Sequence, residues 1–146
     1  MAVGRGRSSR RRAIATVEFA LVAPLLLLLL AGVLDFAMLL RTATCAAYAA
    51  RAGVEFGSGS STASSNYTGI EAAALNAAPG VTGMTATATR SCQCSGGGAV
   101  SCSGSCTGGM MIYVQVTTKV TAPTVFNYSG LSFPSQVTYQ ASMRAQ

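Results

Sequence analysis

Polarity divides the start of the chain into two blocks. A polar, basic stretch runs to Arg12. From Phe19 to Leu34 no charged residue occurs, and apolar positions continue past Asp35 to Leu40. Phe19 to Leu40 is 22 residues. At about 1.5 Å per residue, a helix of that length spans the ~30 Å hydrocarbon core of a bilayer. Its centre, Pro24-Leu25-Leu26-Leu27-Leu28-Leu29-Leu30, is too apolar for a soluble surface.

Beyond the apolar run the pattern changes. Arg41 to Phe56 is Ala-rich with few large side chains. Ala is the strongest helix former, so the helix is expected to continue, and small residues let neighbouring helices approach closely. Gly57 to Ser65 reads by composition as a flexible Gly/Ser linker. Asn66 or Thr68 is placed to cap a short helix through Glu71, Leu75 and Ala78, stopped at Pro79-Gly80. Alternation then takes over. Met84, Ala86 and Ala88 alternate with Thr85, Thr87 and Thr89. Ile112, Val114 and Val116 alternate with Tyr113, Gln115 and Thr117. Val137, Tyr139, Ala141 and Met143 alternate with Thr138, Gln140, Ser142 and Arg144. Period two with β-branched enrichment predicts three half-buried strands. The expected fold class is α+β: a long N-terminal transmembrane helix, a short helix, and a small three-stranded antiparallel sheet with a disulfide-bonded hairpin.

Charge sharpens the reading of the first block. The net charge is +6, and Arg5, Arg7, Arg10, Arg11 and Arg12 all precede the apolar run. The remainder is nearly neutral. A basic cluster can signal nucleic acid, but beside a membrane segment the positive-inside rule explains it more simply and puts the N-terminus in the cytoplasm. No nucleic-acid partner is therefore expected. The rival is a cleaved secretory signal, and Ser9-Arg10-Arg11-Arg12 resembles a twin-arginine start. Signal h-regions are shorter, about 7–15 residues, and no small-x-small site follows in polar sequence.

The chemistry is sparse. The chain has no His, no Trp and only four acidic residues, Glu18, Asp35, Glu55 and Glu71. No Ser–His–Asp set or carboxylate pair can be built from these, so no enzyme and no cofactor is expected. Glu18 abuts the apolar run. An acidic side chain inside a bilayer costs roughly 2.5–3.5 kcal/mol on insertion scales, so it either stays hydrated at the interface or is neutralised by a partner. Pro24 removes a backbone donor inside the run, which membrane helices tolerate.

Cys92, Cys94, Cys102 and Cys106 form C-x-C-x7-C-x3-C among Gly and Ser. Two disulfides suit an exported domain with a thin core. A zinc site is the alternative, but C-x-C spacing serves a tetrahedral ion poorly, so no metal is expected. Three pairings are possible; a simple hairpin over the segment would favour the nested pairs Cys94–Cys102 and Cys92–Cys106. Cys45 stands apart, as a small apolar helix residue or an intermolecular bridge.

Residues Arg12-Ala13-Ile14-Ala15-Thr16-Val17-Glu18-Phe19-Ala20-Leu21-Val22-Ala23-Pro24 resemble the N-terminus of TadE-like pseudopilins. These are minor components of tight-adherence (Flp-type) pilus systems, in the type IV pilin class. Ala46 to Glu55 resembles the small-residue helix end of that family, and Val137 to Arg144 its closing strand. The resemblance implies a basic leader cut by a prepilin peptidase between Ala13 and Ile14, with Glu18 as fifth mature residue and assembly determinant. Ala13 stands where the family usually has Gly. Ile14 to Phe56 as one helix would be roughly 65 Å long.

The expected organisation is a basic cytoplasmic leader (1–13), a transmembrane and extended helix (14–56), a linker (57–65) and an exported α+β domain (66–146). The expected role is a non-enzymatic minor pseudopilin assisting pilus assembly. It would be single-pass in the bacterial cytoplasmic membrane, with other pilins and the assembly machinery as partners. The alternatives are a permanently anchored envelope protein with a partner-binding domain, and a secreted domain released by signal peptidase.

Overall fold

The computed structural model describes residues 6–124 and 134–146, with side chains described from residue 15 onward. A single helix, α1 (Gly6–Ser58), is followed by a 3-10 turn at Ala63–Ser65 and a second helix, α2 (Tyr67–Asn76). Four strands follow: β1 (Thr85–Cys94), β2 (Ala99–Val100), β3 (Met110–Thr121) and β4 (Gln136–Arg144). They form one antiparallel sheet in the order β2-β1-β3-β4.

The sheet has four strands where sequence periodicity predicts three. The additional strand, β2, is two residues long, too short to carry a period, and sits in the Gly/Ser-rich segment between the first two predicted strands. The predicted alternation holds in the three long strands. Ala88, Val116 and Ala141 stand opposite one another and face the helices, as do Ala86, Thr118 and Tyr139. Between these rows, Thr87, Thr117 and Gln140 line up on the other face.

Asn66 is the residue that caps α2: its side-chain carbonyl accepts the Gly69 N–H at 3.0 Å, satisfying an otherwise orphaned helix donor. The helix ends at Asn76, shortly before Pro79. Residues 57–65, read from composition as a linker, begin with the last two residues of α1 and contain the 3-10 turn. Ser58 and Ser64 are buried, and Ser58 O accepts the Gln146 N–H at 3.0 Å. This stretch therefore packs against the sheet end.

The core is small. Ala50 and Val54 of α1, Ile70 and Ala74 of α2, and Ala88, Val114 and Val116 of the sheet form one cluster, with Tyr139 and Ala141 against it. Close approach of α1 is what lets these short side chains meet. A Cβ on Gly53 would lie 3.1 Å from Ala74 Cβ and 3.2 Å from both the Ile70 carbonyl oxygen and a Val116 methyl. The small-residue face of 46–57 thus lies against the chain's own sheet and α2, whereas sequence reasoning offered it to neighbouring helices.

Candidate functional site

The longest element is also the most divided. α1 is continuous through Pro24, yet its burial changes abruptly along its length. Every large apolar side chain from Val17 to Leu34 is between 49% and 76% exposed. At Asp35, only 4% exposed, the C-terminal unit begins to cover one side of the helix, and Thr42, Ala46, Ala49, Ala50, Gly53, Val54, Gly57 and Ser58 follow on the covered side. Among the described residues, α1 is the one helix long and apolar enough to cross a membrane. Soluble monomers rarely leave an apolar surface of this extent open, and such patches mark membrane or partner contact.

The two ends of the exposed apolar stretch are marked by charge. Glu18, exposed, lies at its start. Phe36, Met38 and Leu40 extend the exposed apolar side past Asp35, and Arg41, exposed, is the first basic residue at the far end. Ala13 and Ile14 fall within α1, and their side chains lie outside the described ones. Ile14 is four residues before Glu18, roughly 6 Å along a helix axis.

The second cluster is the cysteine segment. The bridges are Cys92–Cys102 and Cys94–Cys106, with Cα separations of 5.1 and 5.5 Å, ordinary for a disulfide. The nested pairing favoured by a simple hairpin is therefore corrected. The physical reason is β2. After Cys94 the chain turns at Gly97 (φ 90°) and runs back along the outer edge of β1, placing Val100 opposite Cys92. Cys102, two residues on, falls beside Cys92. The chain must then return to enter β3 at Met110 opposite Cys94, and Cys106 meets Cys94 on that return. Gly108 and Gly109, both with φ near 100° or above, make the final turn, a conformation that favours glycine. The four thiols are thus spent in covalent links instead of gathering around an ion. Cys45 is free and half-buried on α1.

Sequence reasoning missed three polar contacts. Thr118, fully buried on β3, donates its hydroxyl to the Ala46 carbonyl at 2.9 Å. The Glu71 carboxylate accepts the Ala88 N–H at 3.0 Å; this N–H points off the edge of β1 beyond the reach of two-residue β2. Ser58 Oγ donates to the Glu55 carbonyl beside Met143 Sδ. A polar residue at an inward strand position, as Thr118 is in Val114-x-Val116-x-Thr118-x-Val120, was the available signal for the first.

Residues 13–55 match the family model described as TadE-like protein. No curated protein and no solved structure matches the chain. The match covers α1 from Ala13 to Glu55, through the bare segment and most of the packed one, and stops before the sheet; the strand resembling the family's closing strand lies beyond it. Over this helix, the chain is similar to TadE-like proteins.

Proposed function

We propose that this chain is a non-enzymatic minor pseudopilin that assists assembly of a tight-adherence (Flp-type) pilus. One observation carries the reading: a TadE-like helix whose first half is bare and apolar while its second half is fastened to a disulfide-linked sheet. Such a molecule anchors itself in a bilayer and holds a rigid unit at a fixed height above it.

On this reading the helix crosses the bacterial cytoplasmic membrane once. The five arginines before Ala13 keep the N-terminus cytoplasmic, and the C-terminal unit, residues 66–146, is exported. The two disulfides suit that oxidising side. A prepilin peptidase cuts between Ala13 and Ile14, where small Ala13 permits close approach to the backbone. The cut creates an α-amino group one helical turn from Glu18. That amine, or a neighbouring subunit's, neutralises the carboxylate. An unpartnered charge drawn into an apolar bundle costs several kcal/mol, so the pairing biases assembly toward subunits offering the complement. The partners are other pilins and pseudopilins and the assembly machinery.

The test is Glu18→Gln in cells with an active peptidase. Cross-linking to partner pilins and pilus yield should fall, while membrane insertion and disulfide formation persist. N-terminal mass analysis of the wild-type protein should give a chain beginning at Ile14. Normal pili with Glu18→Gln would remove the assembly role; an intact leader would favour a permanently anchored envelope protein.

A further inference from the structure

The underside of the C-terminal unit meets α1 at a cleft of about 190 Å³, lined by Met38, Arg41 and Thr42 of α1, by Val81 and Thr82 after α2, and by Thr121 at the end of β3. Its height is set by α1. The exposed apolar side of the helix runs from Phe19 to Leu40 and ends at Arg41. These 22 residues are about 33 Å of helix, so Arg41 stands at head-group level when the run fills a ~30 Å hydrocarbon core.

Three features of the cleft converge on one ligand chemistry. Arg41 is exposed and, among the described residues, forms no ion pair, leaving a forked cationic donor at the rim. Thr82 and Thr121 add hydroxyl donors from two other elements. Directly below, Met38, Leu34 and Leu27 follow at i, i−4 and i−11, one face of the helix, and all three are exposed. A cationic, hydroxyl-lined cleft above an apolar stripe matches a molecule with an anionic head and a long hydrocarbon tail.

We propose that this cleft binds an anionic phospholipid of the leaflet facing the C-terminal unit. Arg41 pairs with its phosphodiester, Thr82 and Thr121 donate to it, and an acyl chain lies along Met38, Leu34 and Leu27. The inference rests on α1 spanning the membrane, as proposed above, and adds a specific lipid contact that fixes the tilt of the unit against the surface. Guanidinium suits this task because it is weakly hydrated and presents parallel donors to phosphate oxygens.

The test reconstitutes the full chain into nanodiscs of phosphatidylcholine containing a minor fraction of phosphatidylglycerol, then counts co-purifying lipid by native mass spectrometry. Wild-type protein should retain one phosphatidylglycerol in preference to phosphatidylcholine. Arg41→Gln should weaken that retention about tenfold, the loss of one charge-assisted partner. Arg51→Gln, an exposed arginine on α1 roughly 15 Å further from the membrane, should leave it unchanged. Millimolar inorganic phosphate should not displace the lipid. Equal retention in Arg41→Gln, equal losses from both arginine variants, or displacement by free phosphate would each overturn the lipid site while leaving the anchor reading intact. A chain that stays in the aqueous fraction and never enters nanodiscs would overturn both.

Discussion

The two halves of α1 are equally helical and both rich in apolar residues, yet they have opposite environments. From residue 15 to 34 the helix is clothed in Leu, Val and Phe and is exposed on all sides. From 35 to 58 one side carries Ala46, Ala49, Ala50, Gly53 and Gly57, and that side is buried against α2 and the sheet. The lesson concerns size rather than hydropathy. Large branched side chains fill volume against a fluid solvent that can mould to them, as lipid tails do. Small ones allow the backbone itself to approach a rigid partner, so dispersion contacts and the Thr118 hydrogen bond reach the main chain.

The most damaging way to probe that difference is to put the same large side chain in both halves. Gly32 has nothing within 4 Å of a built Cβ, whereas at Gly53 that atom already meets Ala74 Cβ, the Ile70 carbonyl oxygen and Val116. Gly53→Leu should therefore cost about 3 kcal/mol or more, at the top of the range for overpacking, and Gly32→Leu should be neutral. Denaturant melts of the detergent-solubilised protein, followed by Tyr fluorescence, would show this. Equal melts for the two variants would mean that α1 does not dock on the sheet through its small face.

A charge reverses the asymmetry. Leu27 is 65% exposed near the middle of the bare half. Leu27→Lys should cost about 3 kcal/mol of membrane insertion and leave the melt of the C-terminal unit unchanged. Carbonate extraction of membranes would measure the first effect. A Leu27→Lys protein that stays as firmly membrane-embedded as the wild type would show that the bare half does not face lipid.

Much of this division was legible in the sequence. The charge-free run, the Ala-rich continuation, a helix cap at Asn66 or Thr68 and the three alternating strands all rest on local rules of propensity and period; each reappears in the structure, with Asn66 as the cap. What escaped was non-local. β2 has only two residues, and its place on the outer edge of β1 decides which cysteines meet. Small residues announce close approach but not to what, so the face at 46–57 was read as a seat for neighbouring helices, whereas it lies against this chain's own sheet and α2. Glu71 and Thr118 act across gaps of 17 and 72 residues, a distance over which one sequence carries no pairing signal. As for the proposed site, Glu18 and the Ala13-Ile14 bond were legible only through their register in a family pattern, since an isolated carboxylate beside an apolar run reads equally well as a hydrated interface residue.

The disulfides sharpen the comparison at the end of the sheet away from the cleft beside Arg41. They close short loops, with sequence separations of 10 and 12, in a segment whose Gly-rich turns bury little. Replacing Cys94 and Cys106 together by Ser should destabilise the C-terminal unit by roughly 2–3 kcal/mol while carbonate-resistant membrane association persists. Non-reducing peptide mapping of the wild type should recover Cys92 linked to Cys102 and Cys94 linked to Cys106. Nested links instead would mean that β2 does not run along the outer edge of β1.

The smallest effect expected is at the contact that ties the packed half most directly to the sheet. Thr118 occupies an inward position of β3 where its neighbours two residues away are Val116 and Val120, and it is fully buried. A hydroxyl there is costly unless it is paired. It donates to the Ala46 carbonyl at 2.9 Å, and the Tyr139 carbonyl lies at 3.4 Å. Ala46 lies within α1, so its carbonyl also has the helix's own acceptor role toward the amide four residues on. Removing the threonine hydroxyl therefore leaves no acceptor stranded. Thr118→Val keeps the shape, removes both the donor and its desolvation cost, and should destabilise by only about 1 kcal/mol. Thr118→Ala also opens a cavity between α1 and β3 and should cost more. The ordering is the test: Val close to wild type and Ala clearly below it in the same denaturant melt. If Val were as damaging as Ala, the hydrogen bond rather than packing would hold α1 to the sheet, and side-chain size would not be what separates the two halves of the helix.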